Sequence, residues 1–366
     1  MNLTFKKKIF SRIRVRLILV FSISILVGAN AQTENNFKWT DVHYPSYIRR
    51  LNFFGERPDW SLDSKKVLFV GRSFGDVYEM DIATGIVTPL THHYYHGGYL
   101  RAMYLSNGDI LLLGPKKFDP TNWQDARFKN MEMWVLSKKL NSPPVPLGEF
   151  IWEGAAVSRT QLKISWARYP NEKGLRQLMM ADIDYSTGKP TLINKRVILD
   201  NTKAEVQNAV LEPQNFRPGK EEELTLQVGG WQRPDIKGAE VFGLNLKTGE
   251  LINYSKSPFI YDEVEGIFPD GNYTLVECTM HDTNPATKSS THNIDLYKLK
   301  LDNTQTWERV TYFSEERIFK ASNPVVSDDG RYIAFMVARS DEVAGIGHGV
   351  YLLDIDMYEK SKKISK

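Results

Sequence analysis

The chain has 366 residues, 42% hydrophobic and 25% charged, with a formal net charge of +3 and a single cysteine. Six basic residues and no acidic ones lie in the first 31 positions, so without that segment the charge becomes −3, which excludes the basic surface that nucleic acid or an anionic membrane requires. One cysteine excludes an intramolecular disulfide, so stability has to come from core burial, for which the length is ample.

The elements begin with Lys6, Lys7, Lys8, Arg12, Arg14 and Arg16, followed by an apolar run from Leu17 to Gly28 and the small-residue stretch Ala29-Asn30-Ala31. This pattern predicts a signal peptide over 1–31, cleaved after Ala31, with an apolar run too short to span a bilayer. An exported chain, periplasmic or secreted, with no membrane insertion after cleavage, is the expectation. From there a short pattern recurs: an apolar strand start, an Asp/Asn-Gly-type turn, then a hydrophobic strand. It reads Arg57-Pro58-Asp59-Trp60-Ser61 before Val67–Val70, then Tyr104-Leu105-Ser106-Asn107-Gly108, and more weakly Ala155-Ala156-Val157-Ser158. It returns at Phe216-Arg217-Pro218-Gly219, at Ile267-Phe268-Pro269-Asp270-Gly271 and at Asn323-Pro324-Val325-Val326-Ser327-Asp328-Asp329-Gly330. A spacing of roughly 45 to 60 residues is the range of propeller blades.

Between these anchors the chain alternates with period two, as in Val77–Ile82, Val241–Leu246 and Leu296–Leu301, with Thr-Gly turns at Thr84-Gly85, Thr187-Gly188 and Thr248-Gly249. Each unit therefore reads as four antiparallel strands, A to D. Six units are expected, about 55–91, 98–149, 152–203, 207–257, 263–314 and 320–356. The last holds only strands A to C, and the segment from Phe37 to Phe54 is placed to supply its fourth, tying the termini together and removing an open sheet edge. The expected fold is a single all-β domain over 32–358, a six-bladed β-propeller, followed by a polar tail at 359–366 and no long amphipathic helix.

These repeats resemble those of TolB-type β-propellers, on the strength of Pro58-Asp59-Trp60-Ser61, Asn323–Gly330 and the Asp-Gly turns. The resemblance covers essentially the whole mature chain and speaks to fold, because propellers host binding and catalysis alike.

Propeller topology gathers the D-to-A and B-to-C loops on one face around the channel. The residues opening each strand A are Arg57, Arg101, Glu153, Glu212, then Glu263 or Glu265, and Asn323 with Lys320 close by. They are candidates for substrate binding, beside the alternative of a solvated channel of mutually neutralising charges. His92, His93, His96, His281, His292 and His348 map to the same face. His281, His292 and His348 could hold a divalent metal, Mn or Ca, or a His could act as a base near neutral pH. Arg57 and Arg101 suit a forked contact with a substrate carboxylate, and Tyr94, Tyr95, Tyr99 and Trp231 offer phenol and stacking surface. Together these suit β-elimination from a uronic-acid sugar, with His281, His292 and Tyr95 as the catalytic candidates. Architecture and histidine placement are similar to the oligogalacturonate lyases, TolB-like propellers with a His-rich metal site. The alternative is a non-catalytic propeller, excluded from nucleic acid by charge and expected as a monomer, that binds an envelope protein. Cys278, in an apolar strand, reads as a core residue, and Gly71-Arg72-Ser73-Phe74-Gly75 as a hairpin loop rather than a hydrolase elbow, because a strand follows it.

Overall fold

The computed structural model describes residues 43–230, 237–316 and 318–364, so the expected signal peptide, its cleavage site and Trp231 lie outside the described residues. Six four-stranded antiparallel sheets follow one another along the chain, with strands hydrogen-bonded in the order A-B-C-D. They occupy residues 56–89, 101–150, 152–200, 210–253, 262–309 and 319–354, close to the units read from the repeats. The A strands of neighbouring blades touch all the way round, the sixth returning to the first. This is a six-bladed β-propeller.

The sixth blade takes its outermost strand from Ile48–Arg50, which pairs antiparallel with Val350–Asp354 in the register Ile48↔Leu353 and Arg50↔Tyr351. The core is not central but lies between blades. Trp60, Phe69, Met80, Ala334, Val350 and Leu352 pack between blades six and one, and Leu111, Met133, Ile164, Trp166 and Met179 between two and three. Period-two alternation does not distinguish the two faces of such a strand, since both are buried against neighbouring sheets.

The repeated turn has a hydrogen-bond explanation. The Ser61 hydroxyl donates to Asp63 at 2.7 Å and accepts from the Lys66 amide at 2.9 Å, and Ser327 repeats this with Asp329 at 2.6 Å and the Tyr332 amide at 3.0 Å. Such a serine closes the A–B hairpin at both ends. Gly271 completes one of these turns with φ +66°, and a Cβ there would meet the Pro218 carbonyl at 2.2 Å.

Two elements depart from the expected pattern. A short helix, Trp123–Phe128, is inserted between strands B and C of blade two. Residues 359–364, expected as part of a polar tail, continue a helix Ile355–Ile364. Tyr358 is buried and its hydroxyl donates to Glu308 at 2.6 Å, while Lys362 pairs with Glu308 at 2.6 Å, so the segment docks on blade five without joining a sheet. Among the described residues no helix is long and apolar enough to cross a membrane.

The innermost strands are irregular. Register shifts interrupt strand A between Glu56 and Asp59, Trp152 and Ala155, Pro213 and Asn215, Val264 and Ile267, and Ser322 and Val325. A bulge re-aims a side chain that regular pleating would turn into the blade. In three of them the extra residue sits in the left-handed region, Arg57 at φ 53°, Glu153 at φ 60° and Asn323 at φ 49°. For residues with a β-carbon this conformation is held only by surrounding structure, and it marks functional positions more often than others.

Candidate functional site: the central channel

The bulges place polar side chains on the propeller axis, where two cavities meet. The wider, about 210 Å³, opens among the D-to-A and B-to-C loops, and the narrower, about 100 Å³, lies towards the A–B turns. Arg57, Arg101 and Asn323 line both, and so form the waist of the channel.

The wide mouth is rich in carboxylates. Glu263 and Glu277 face each other across strands A and B of blade five, as a register pair, and Glu265 follows from the bulge. One oxygen from each of the three lies within 4.8 Å of the others. Arg101 donates to Glu265 at 3.2 Å, and Asn323 donates its side-chain amide to Glu265 at 3.0 Å and its backbone N–H to Glu277 at 2.6 Å. Ser322 also donates to Glu277, at 2.6 Å, and the Tyr261 hydroxyl donates to Glu263. Glu153 is held by a forked contact from Arg127, with Nε at 3.1 Å and Nη2 at 2.9 Å. The inserted helix of blade two brings that arginine to the mouth.

Glu212 is different. It is nine-tenths buried, and its carboxylate is packed so closely on Gly154 that a Cβ there would lie 2.4 Å from Oε1. Among the described residues its carboxylate has no hydrogen-bond partner or ion pair. Burial, with Glu153 and Glu265 nearby and only Arg101 and Arg57 opposing, pushes its carboxyl up to about 8. Burial and neighbouring Glu265 raise Glu277 to about 7, and burial and Glu277 raise Glu263 well above the usual range. Burial lowers Lys320, whose ammonium donates to the Thr291 carbonyl at 3.0 Å. Arg57 lines the same space with no ion pair among the described residues, and its Nε is buried without a partner.

The donor set at Glu263, Glu265 and Glu277 is all oxygen. That chemistry suits a hard divalent cation such as Ca, Mg or Mn rather than a metal chosen by imidazole.

The narrow end is built in the opposite sense. Arg159 donates Nε to Asp328 at 3.1 Å and Nη2 to both Asp328 and the Trp60 carbonyl, the latter at 2.8 Å. Its Nη1 lies 3.6 Å from Asp59 Oδ2, which accepts from the Tyr104 amide at 2.7 Å.

Of the residues expected at the mouth, Arg57, Arg101, Glu153, Glu212, Glu265 and Asn323 converge on the channel. The histidines do not converge. His281 stacks on Tyr297 with centroids 6.0 Å apart, its Nδ1 lies 3.1 Å from the Tyr297 hydroxyl and its Nε2 2.8 Å from the Ser314 hydroxyl. Burial and the Arg309 guanidinium hold that imidazole below its usual range. His292 is exposed, with its carbonyl accepting from Ser340, and His348 is engaged by Glu342. The three do not form a metal set, and His281 and His292 lie outside the residues lining either cavity. His281 and His292 sit on the B–C side of blade five outside the cavity lining, whereas His348, on the B–C loop of blade six, does line the wide cavity.

Tyr95 is 93% exposed and does not line the cavity, while Tyr99 is buried in the core between blades one and two with Tyr94 packed against it. His92 and His96 bracket Asp76, at 3.2 and 2.9 Å. Cys278 is fully buried. Ser73 of the Gly71–Gly75 segment donates to Glu56 at 2.7 Å, and a strand, Val77–Asp81, follows.

The sequence reading missed Arg127, Glu277 and Gln214. Glu277 did carry a signal, a lone acid within the run Leu275-Val276-Glu277-Cys278. Arg127 carried none, because a six-residue helix is too short for its periodicity to stand out.

No protein-family model and no curated protein matches the sequence. Among solved structures, the chain is similar to TolB from Acinetobacter baumannii, at 12% identity and TM-score 0.43, over 79% of this chain and 65% of that one. It is similar to XC5397 from Xanthomonas campestris, a gluconolactonase, at 11% identity and TM-score 0.51, over 84% of this chain and 89% of that one. A puromycin-hydrolyzing peptidase from Mycobacterium tuberculosis matches at 11% identity and TM-score 0.46, over 80% of this chain and 45% of that one. The chain thus spans 65% of the TolB chain. At 11% identity and TM-score 0.51, the likeness to the gluconolactonase is one of fold alone.

Proposed function

We propose that this is an exported propeller whose wide channel mouth binds an acidic sugar, a uronic-acid-bearing oligosaccharide, and cleaves it by β-elimination with the help of a divalent cation. The observation that carries this reading is Arg57: a guanidinium with no ion pair among the described residues, aimed by a strained bulge into a cavity lined by both acids and bases. A guanidinium in that setting suits the carboxylate of a ligand.

A divalent cation held by Glu263, Glu265 and Glu277 would supply Lewis-acid neutralisation of the substrate carboxylate. Glu212, raised to about 8, is a stronger base than an ordinary glutamate and is suited to take the C5 proton. The C5–H electrons become the C4–C5 double bond as the C4–O bond breaks. Lys320, with its ammonium made more acidic by burial, is suited to protonate the leaving oxygen.

A second reading, a non-catalytic propeller that docks an envelope protein, is favoured by the rim of that face. Phe53, Phe259 and Tyr312 are exposed on D-to-A connections, and Phe150 is exposed at the end of strand D of blade two. Exposed aromatics in this arrangement serve a protein partner as well as a sugar ring.

The deciding experiment mixes purified protein with uronic-acid oligosaccharides and Mn²⁺, Ca²⁺ or EDTA, and follows the ultraviolet absorbance of the unsaturated product alongside calorimetric binding. The expected result is a rise that EDTA abolishes and Glu212→Gln removes while binding persists. Absence of both absorbance change and binding across the panel would leave the docking reading.

A further inference from the structure

The narrow end of the channel shows a pattern that the wide mouth does not need. Three buried nitrogen donors without hydrogen-bond partners, Arg57 Nε, Arg159 Nη1 and Gln214 Nε2, belong to side chains lining the same cavity of about 100 Å³. Gln214 is 8% exposed and comes from the bulge in strand A of blade four, so its amide is held on the channel side by the backbone. Arg159 is equally constrained. Its Nε and Nη2 are committed to Asp328 and the Trp60 carbonyl, which leaves Nη1 without a hydrogen bond, in an ion pair 3.6 Å from Asp59 Oδ2.

A buried donor left unmatched costs desolvation without return, and native proteins rarely leave several in one place. Among the described residues, each fully buried side-chain atom of this cavity that lacks a hydrogen bond is a donor, and two belong to guanidinium groups, beside the carboxylates of Asp59, Asp328 and Glu265. The complementary ligand is an acceptor with negative charge, small enough for the cavity.

We propose that this end of the channel is a binding site for a small oxyanion, a carboxylate or inorganic phosphate, held by Gln214, Arg159 and Arg57. The site shares Arg57 with the wide mouth, whereas Gln214 and Arg159 line the narrow cavity alone. Guanidinium edges pair with two oxygens of one anion, and the Gln214 amide supplies a neutral donor that helps exclude spherical halides.

The test is the melting temperature of the whole protein in sodium acetate, sodium phosphate and sodium chloride at matched ionic strength, without oligosaccharide. A saturable rise with acetate or phosphate beyond chloride is expected, and which of the two gives it identifies the source. Gln214→Leu, which leaves the Arg159 ion pairs intact, should weaken the midpoint of that rise by about tenfold. Arg159→Lys, which keeps the charge but loses the fork, should weaken it comparably, and serves if the first variant alters folding. Identical curves in all three salts would mean that water alone fills the cavity and would overturn the proposal. So would a rise that Gln214→Leu leaves untouched.

Discussion

The two ends of the channel use the same strands and solve opposite problems. At the narrow end Arg159 is locked between Asp59 and Asp328, so the charges are matched and the unmatched atoms are donors. At the wide mouth Glu212, Glu263 and Glu277, with Glu265 at the waist, crowd around Arg101 and Lys320, and Glu212 is left without an ion pair among the described residues. The matched end stabilises the ring, whereas the mismatched end keeps its carboxyls raised and ready to exchange protons. Unmatched charge inside a fold is costly and persists where a ligand completes it.

If that contrast is right, substitutions at the two ends should differ in sign. The largest effect belongs to Arg159→Ala, which strands two carboxylates. It should cost about 2–3 kcal/mol in urea unfolding, below the figure for a fully buried pair because Arg159 and Asp328 remain partly exposed. A loss under half a kcal/mol would remove the claim that this end is structural. Next comes Arg57→Met, expected to weaken uronate binding roughly 10- to 100-fold in calorimetry with little change in melting, since no partner is left stranded.

Glu212→Gln should act the other way. Its carboxyl holds its proton more tightly folded than unfolded, so its contribution is complete below the ordinary glutamate range and is lost as pH rises through about 8. Glu277 adds the same loss near pH 7. The wild type should therefore melt lower as pH rises from 5 to 9. Glu212→Gln should match it at the acid end and be more stable at pH 9, by on the order of 1 kcal/mol. A variant that is less stable at pH 9 would show that Glu212 is charged and well compensated. Added Ca²⁺ or Mn²⁺ should restore wild-type melting at high pH, and Glu263→Gln should diminish that restoration. The smallest effect is expected from His292→Ala, which should leave the cation response unchanged because His292 is exposed and away from the channel.

How much of this was legible in the sequence differs between backbone and site. The serine-bearing turns at Ser61, Ser158 and Ser327 and the Gly turns placed the blade boundaries to within about five residues, because each turn is specified by hydrogen bonds within a few positions. The opening residues of strand A were legible too, since any propeller puts them on the axis. His281, His292 and His348 were assigned to the correct face yet never meet. The sequence shows on which side of a blade a loop emerges, but not its distance from the axis.

The sequence by itself determined six blades, their order and the polar character of the channel, through turn chemistry and alternation that act over a few residues. Only the closed ring decided which charges became neighbours. Arg101 meets Glu265 and Arg159 meets Asp328 across more than a hundred residues of chain. The bulges, invisible to a period of two, then chose which side chains faced the axis. Burial did the rest, because a carboxylate's proton affinity is set by the water and charges around it, and those exist only once the ring has closed.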